Sequence, residues 1–186
     1  SRTHDRVMTA VRDLLDEGTF HESTVEEVAA RAGVSRASLY QNFGSRLGLV
    51  DAMCSTFASN PHLVALRATA DMDEFLERVV EFWSSEERIL AQLYGAAAVD
   101  PAAKALVERQ RRDRYGELRR ILRNRGQGDG SAFASLATLT SFETYRELRR
   151  DVGLSKGELV AHLRRSAGSL LGEPATTRRG TRAGAR

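Results

Sequence analysis

An all-α fold is predicted by three observations. Apolar residues recur at three- and four-residue spacing along most of the chain, the period of a helix face. Strand-like alternation is nearly absent, and only 3 of the 186 residues are proline. A content of 41% hydrophobic and 28% charged residues is that of an ordinary globular protein, of a length that allows one domain or two small ones. No run approaches the ~18 apolar residues of a membrane span, and no charged-then-apolar leader is present, so a cytoplasmic protein is expected. The chain begins at Ser1 rather than Met, as expected of a trimmed or replaced N-terminus. Its single cysteine, Cys54, can form neither an internal disulfide nor a cysteine zinc site.

The first helix follows from Val7, Ala10, Val11, Leu14 and Leu15, with Gly18 to end it. Thr24 and Glu27 fit a capping box for a second helix running to about Ala32. Gly33 breaks it, Ser35 caps a third helix through Phe43, and Gly44-Ser45 leads into a fourth running towards Ala58. Asn60-Pro61 stops that helix, because a residue before proline avoids helical backbone. Asp71 to Ser84 reads as an amphipathic helix, with Phe75, Val79, Phe82 and Leu76, Val80, Trp83 on adjoining stripes. Glu86 to Ala98 is a shorter one. Pro101 opens a long helix to about Arg125 that holds nine basic and three acidic residues. Gly126, Gly128 and Gly130 make a loop, and Ser131–Asp151 and Ser155–Leu171 are the last two helices. From Glu173 a basic tail, 173–186, is expected to be disordered. This divides the chain into 1–60, 61–172 and the tail.

The segment with chemical content is 25–43. Ala29 lies in one short helix, Gly33 four residues later in the turn, and Leu39 six residues on in the next helix. Two helices crossing steeply need a small side chain at their closest approach, and a tight turn needs a residue without a Cβ penalty. The spacing predicts a helix-turn-helix, with Val28, Val34 and Leu39 filling the wedge. The second helix is then left projecting, with a polar face suited to a major groove about 12 Å wide.

On that face Arg36 can make a bidentate contact to guanine, Gln41 or Asn42 can pair with adenine, and Ala37 offers a methyl to thymine. Ser38 and Tyr40 suit phosphate oxygens, beside the N-cap Ser35. Arg46 at the start of helix four and Thr24 at the start of helix two suit phosphates too. Residues 1–60 carry six basic and eight acidic side chains, yet no acid lies between Glu27 and Asp51, where Arg31, Arg36 and Arg46 fall. A locally positive patch is expected there.

The run from Ser23 through Thr24-Val25, Gly33-Val34-Ser35 and Leu39-Tyr40-Gln41-Asn42-Phe43 resembles the signature of TetR-type transcriptional regulators. The resemblance covers about a third of the chain. It implies an N-terminal three-helix DNA-binding domain, with helix four linking the halves, and a C-terminal helical domain for ligand binding and dimerisation. It also implies a homodimer on a palindromic double-stranded operator, most simply as a repressor, with a small-molecule effector. By position it carries the recognition helix onto Ser35, Arg36, Ala37, Ser38, Tyr40, Gln41 and Asn42, with Leu39 and Phe43 as packing residues. Thr24, Tyr40 and Arg46 take phosphate roles. After Ser45-Arg46, where the family commonly has glutamate and a good helix former, this chain has Leu47 and Gly48. A glycine in the first turn costs about 1 kcal/mol against alanine, which weakens the expected docking of helix four.

The regulatory half offers a pattern rather than a site. Phe75, Phe82, Trp83, Tyr94, Phe133, Phe142 and Tyr145 are the candidates for a ligand pocket, with plain core packing as the competing reading. Leu163, Ala167, Leu170 and Leu171 are candidates for a dimer interface, again against core. The arginines of the long helix read as a solvated face, partly paired with Glu108, Asp113, Glu117 and the acids of 71–87, rather than as a second nucleic-acid surface. No cofactor, metal site or catalytic residue is expected, because His4, His21, His62 and His162 are scattered and no phosphate-binding loop is present. The alternatives are a helical interaction module that does not bind DNA and, last, an enzyme whose site is assembled only in space.

Overall fold

The computed structural model describes residues 2–20, 22–57, 59–127 and 130–172. Among them are eleven α-helices, one π-helical turn and no strand. The tail expected to be disordered, and Gly128 of the glycine loop, lie outside the described residues.

The first four helices are α1 (Arg2–Asp16), α2 (Val25–Ala32), α3 (Arg36–Phe43) and α4 (Arg46–Phe57). α1 turns Val7, Ala10, Val11, Leu14 and Leu15 inward, and packs on both α2 and α4. The capping box at α2 is present: the Glu27 amide donates to the Thr24 hydroxyl at 3.2 Å, and the Thr24 amide donates to the Glu27 carboxylate at 2.6 Å. The Thr24 amide, and then its hydroxyl, hold the Glu27 carboxyl below its ordinary range. A carboxyl depressed in this way supports α2 above the ordinary carboxylate range and loses that support as the pH falls through its lowered value. Thr24→Ala is expected to cost about 1 kcal/mol in urea unfolding. Gly33 ends α2 with φ 61°, in the left-handed region, and Ser35 caps α3 by accepting from the Ser38 amide at 3.1 Å.

α4 forms despite Gly48, and the glycine has a steric reason. A Cβ at Gly48 would sit 1.7 Å from the Phe43 carbonyl oxygen. The turn from α3 to α4 brings the end of one helix onto the first turn of the next, and only a residue without a side chain fits there. The weakened docking expected from propensity is therefore corrected: Gly48 is what permits the close approach.

The second half comprises α5 (Pro61–Ala68), α6 (Met72–Ser85), α7 (Glu87–Ala96), α8 (Pro101–Asn124), α9 (Gly130–Leu139), α10 (Phe142–Arg146), the π-turn Glu147–Asp151 and α11 (Lys156–Leu170). α6 lies at its centre and touches α5, α7, α10 and α11. That is why Met72, Phe75, Leu76, Val79, Val80, Phe82 and Trp83 are all buried, both stripes at once. α1 also touches α7, and α4 touches α8. Most buried residues from Val7 to Leu171 consequently form one core through both halves, and Leu93, Ala103, Leu106 and Val107 form a separate small cluster between α7 and α8.

The structure departs from the sequence reading at two places. Asn60-Pro61 stops α4 but also starts α5, since the Asn60 side chain accepts from the His62 amide at 2.9 Å and Pro61 takes the first helical position. The stretch 131–151 is three elements rather than one helix. Ser141 caps α10 by accepting from the Thr144 amide at 3.1 Å. The preceding Thr140 is held by the Trp83 indole N–H, which donates to its carbonyl at 3.1 Å, and by Arg114, which donates to its hydroxyl at 2.7 Å. Trp83→Phe leaves that carbonyl buried without its donor, an expected loss of about 1–3 kcal/mol in urea unfolding.

Candidate nucleic-acid interface

α2 and α3 pack as a helix-turn-helix. Ala29 and Val28 of α2 and Leu39 of α3 are buried, with Val34 half-buried between them. The Val34 amide donates to the Ala29 carbonyl at 3.0 Å and fixes the turn. Arg6 of α1 donates to the Gly33 carbonyl at 3.0 Å from the other side. Phe43, at the end of α3, is buried and faces the His4 ring of α1, centroids 5.3 Å apart.

Against that buried edge, Ser35, Arg36, Ala37, Tyr40, Gln41 and Asn42 are exposed and Ser38 is half-buried. The structure thus brings the residues proposed to read DNA onto one outward face. Two of them are engaged locally. Asn42 donates to the Ser38 carbonyl at 2.7 Å. The Arg36 guanidinium lies 5.4 Å from the Tyr40 ring centroid and 2.7 Å from a Glu26 carboxylate oxygen. That ion pair is exposed, with side chains 64% and 50% accessible, so opening it costs only about 0–1 kcal/mol. A bidentate contact to guanine is worth about 1–3 kcal/mol of base discrimination, enough to draw Arg36 away.

The positive patch expected from the acid-free stretch is corrected. Arg31 pairs with Glu17, just past the end of α1, and Arg36 with Glu26 of α2, so the stretch is acid-free along the chain but not in space. Arg46 is turned inward. Its guanidinium donates to the carbonyls of Phe20 and Ser23 and lies 4.6 Å over the Phe20 ring. It ties the α1–α2 connection to the start of α4. Thr24 is exposed, but its hydroxyl is spent in the capping box. Arg46→Ala is expected to lower stability by about 1–3 kcal/mol, as loss of charged hydrogen bonds does, in urea unfolding without DNA. A residue serving phosphates alone would leave that value unchanged.

In the second half, Phe75, Phe82, Trp83, Phe142 and Tyr145 are buried core. Phe82, Trp83, Tyr94, Phe142 and Tyr145 pack ring on ring with neighbouring centroids 4.8–5.9 Å apart, tilted except for the stacked Phe142–Tyr145 pair. Phe82 and Trp83 border a void of only about 40 Å3. Tyr94, half-buried, and Phe142 border an open surface cleft; burial pushes the Tyr94 phenol up to about 12, so it stays neutral. Phe133 packs at its edge on Tyr115 and lies under Arg119, 4.1 Å from the ring centroid. None of the seven lines a separate cavity of about 370 Å3 between α1, α4, α7 and α8, which equals the Tyr94–Phe142 cleft in volume. Sequence reasoning missed that cavity because its walls are mostly aliphatic residues on four separate helices. Of the four interface candidates, Leu163, Ala167 and Leu171 are buried within the chain's own core, where α11 packs on α6 and α9, which leaves Leu170, 39% exposed.

The arginines of α8 are largely engaged within the chain. Arg109 pairs with Asp51 of α4, Arg111 with Glu143, and Arg120 with Glu117. Arg114 is buried, donating to the Ala137 carbonyl at 2.8 Å and to Thr140, and burial lowers its pKa. Their acidic partners lie on α4, α8 and α10 rather than in 71–87. Among the described residues no group of three metal-ligating side chains comes together, and no helix is long and apolar enough to cross a membrane.

Residues 7–53 match the profile of the bacterial regulatory proteins of the tetR family. The uncharacterized HTH-type transcriptional regulator YvkB of Bacillus subtilis is 31% identical over 70 residues, 38% of this chain and 37% of that protein. The HTH-type transcriptional regulator AlkX of Mycobacterium tuberculosis is 47% identical over 45 residues, 24% of this chain and 21% of that protein. The chain therefore spans well under half of the curated relatives it matches. The fold extends the likeness further: GusR of Salmonella enterica superposes with a TM-score of 0.72 at 17% identity, covering 91% of this chain and 95% of that one. Over residues 7–53, then, the chain is similar to the bacterial regulatory proteins of the tetR family.

Proposed function

We propose that the protein is a DNA-binding transcription regulator that grips a palindromic operator as a homodimer and responds to a small molecule, most simply as a repressor. The observation that supports this best is the outward face of α3, which presents a guanidinium, two amides and hydroxyls at groove-reading spacing on a helix held at its back by Leu39 and Phe43. One such helix contacts few base pairs, and two related by a twofold axis read half-sites about 34 Å apart or a multiple of that. The exposed surfaces of α9 and α11 are the proposed contact between subunits, in the manner of a four-helix bundle. Ser35, Ser38, Tyr40 and the amides of the α3 face serve phosphates and bases, whereas Arg46 acts first as the brace of α4.

The test is retardation of the DNA flanking the protein's own gene, titrated against salt with and without unrelated competitor. A regulator shows sequence preference and an affinity that falls with a logarithmic slope of about −0.9 per phosphate contacted. A helical interaction module shows neither, and an enzyme is indifferent to the DNA.

A further inference from the structure

We infer that the small void between α5, α6 and α8 is a binding site for one monovalent, halide-sized anion, held as the counterion of Arg114. The void measures about 40 Å3. That is more than the ~10–15 Å3 a single water needs, and far less than the ~300 Å3 or more of an organic-ligand pocket. Leu66, Phe82 and Trp83 give it apolar walls, and Arg114 and Gln110 line it as well.

The charges around the void select the guest. Two acids border it, and each already has a cation: Asp113 pairs with Arg67 at 3.6 Å and Glu117 with Arg120 at 2.8 Å. Arg114 has no acid of its own. It is 7% exposed, and its Nη1 donates to two neutral acceptors, the Ala137 carbonyl and the Thr140 hydroxyl. Neither its Nε nor its Nη2 has a hydrogen-bond partner among the described residues. Burial lowers its pKa, as it does for a cation desolvated without compensation. Gln110 supplies a second donor. The Tyr94 hydroxyl donates to its Oε1 at 3.4 Å, which leaves the amide N–H groups without a partner among the described residues. Free donors beside paired acids suit an anion and not a cation. One negative charge matches one guanidinium, whereas a divalent oxyanion would leave a net charge among apolar walls. Filling the void turns a lone buried charge into a pair, across the seam where α8 meets α5 and α6.

Trp83 supplies a native reporter. It lines the void, is the chain's only tryptophan and is 2% exposed, so a halide colliding from solvent scarcely reaches it. Bromide held in the void meets the indole and quenches it as a heavy atom. The probe is sodium bromide, exchanged for sodium gluconate at constant ionic strength, with the full chain and no DNA. Trp83 emission is expected to fall along a saturating curve, and to recover when chloride, a far weaker quencher, displaces the bromide. The urea midpoint is expected to rise over the same bromide range, because an anion that binds only the folded chain stabilises it. Gln110→Leu removes one donor and leaves the Arg114 bonds to Ala137 and Thr140 in place. It is expected to raise the half-quenching concentration by about tenfold, as loss of a hydrogen bond to a charged group does. A fall in emission that is absent, linear or unmoved by chloride overturns the site and gives the void to water, and this arm needs no variant to fold. A saturating curve unchanged in Gln110→Leu overturns it too. No arm uses DNA, so failure leaves the regulator reading standing, and a protein that ignores DNA leaves the site standing.

Discussion

Arg36→Ala lowers affinity for the cognate operator by about 1–3 kcal/mol and relaxes base preference at one position of each half-site. Binding to unrelated DNA changes much less, because phosphate contacts dominate there. The expectation follows from geometry. Arg36 stands on the exposed face of α3, one turn before Tyr40, and its only ion-pair partner among the described residues is Glu26, across an exposed 2.7 Å contact. In the free protein Glu26 holds the guanidinium at the mouth of the reading face and also presents a negative charge to any approaching phosphate. Glu26→Gln is therefore expected to act in the opposite sense, tightening binding to all DNA sequences with little change in preference. Competition titrations with operator and mixed-sequence DNA separate the two effects. Parent-like behaviour of both variants would place the reading face elsewhere.

Gly48→Ala destabilises the protein by about 1–3 kcal/mol, the usual range for forcing extra atoms into a filled space. Helix propensity alone predicts the reverse, a gain of about 1 kcal/mol. The two accounts differ in sign, so a urea titration decides between them. A chain of this size loses about 2–4 °C of melting temperature per kcal/mol. The contact responsible is the Phe43 carbonyl, 1.7 Å from where a Cβ would lie. It is backbone, so it cannot swing away as a flexible side chain would. Relief requires the α3–α4 turn to open, which moves the reading helix relative to α4. The variant is accordingly expected to lose operator affinity as well as stability.

The helix-turn-helix was legible because its determinants are local. Thr24 with Glu27, the left-handed Gly33 and the N-cap Ser35 each act within four residues, and all three stand as read. Features set by distant partners were not legible. Arg46 reads as a surface cation until the Phe20 and Ser23 carbonyls, more than twenty residues away, are seen to take it. Arg31 and Arg36 read as unopposed until Glu17 and Glu26 fold against them. The break at Thr140 needed Trp83 and Arg114, which reach it from α6 and α8. Asn60-Pro61 is a different case. The signal for α5 lies in the sequence, since asparagine before proline is a helix start as much as a helix stop. The aromatic residues of 61–172 attracted the pocket assignment by their size. Large rings close-pack most readily, and the open space lies where aliphatic side chains from four helices fall short of one another.

The most direct test of α3 as the reading element is a chemical footprint of the full-length protein on the DNA it retards, with guanine methylation interference on parent and Arg36→Ala. Two protected major-groove patches are expected, about 34 Å apart or a multiple of that, each holding a guanine whose N7 methylation blocks the parent and no longer matters to the variant. Continuous, weak protection without any interfering guanine, identical for both proteins, would contradict the account.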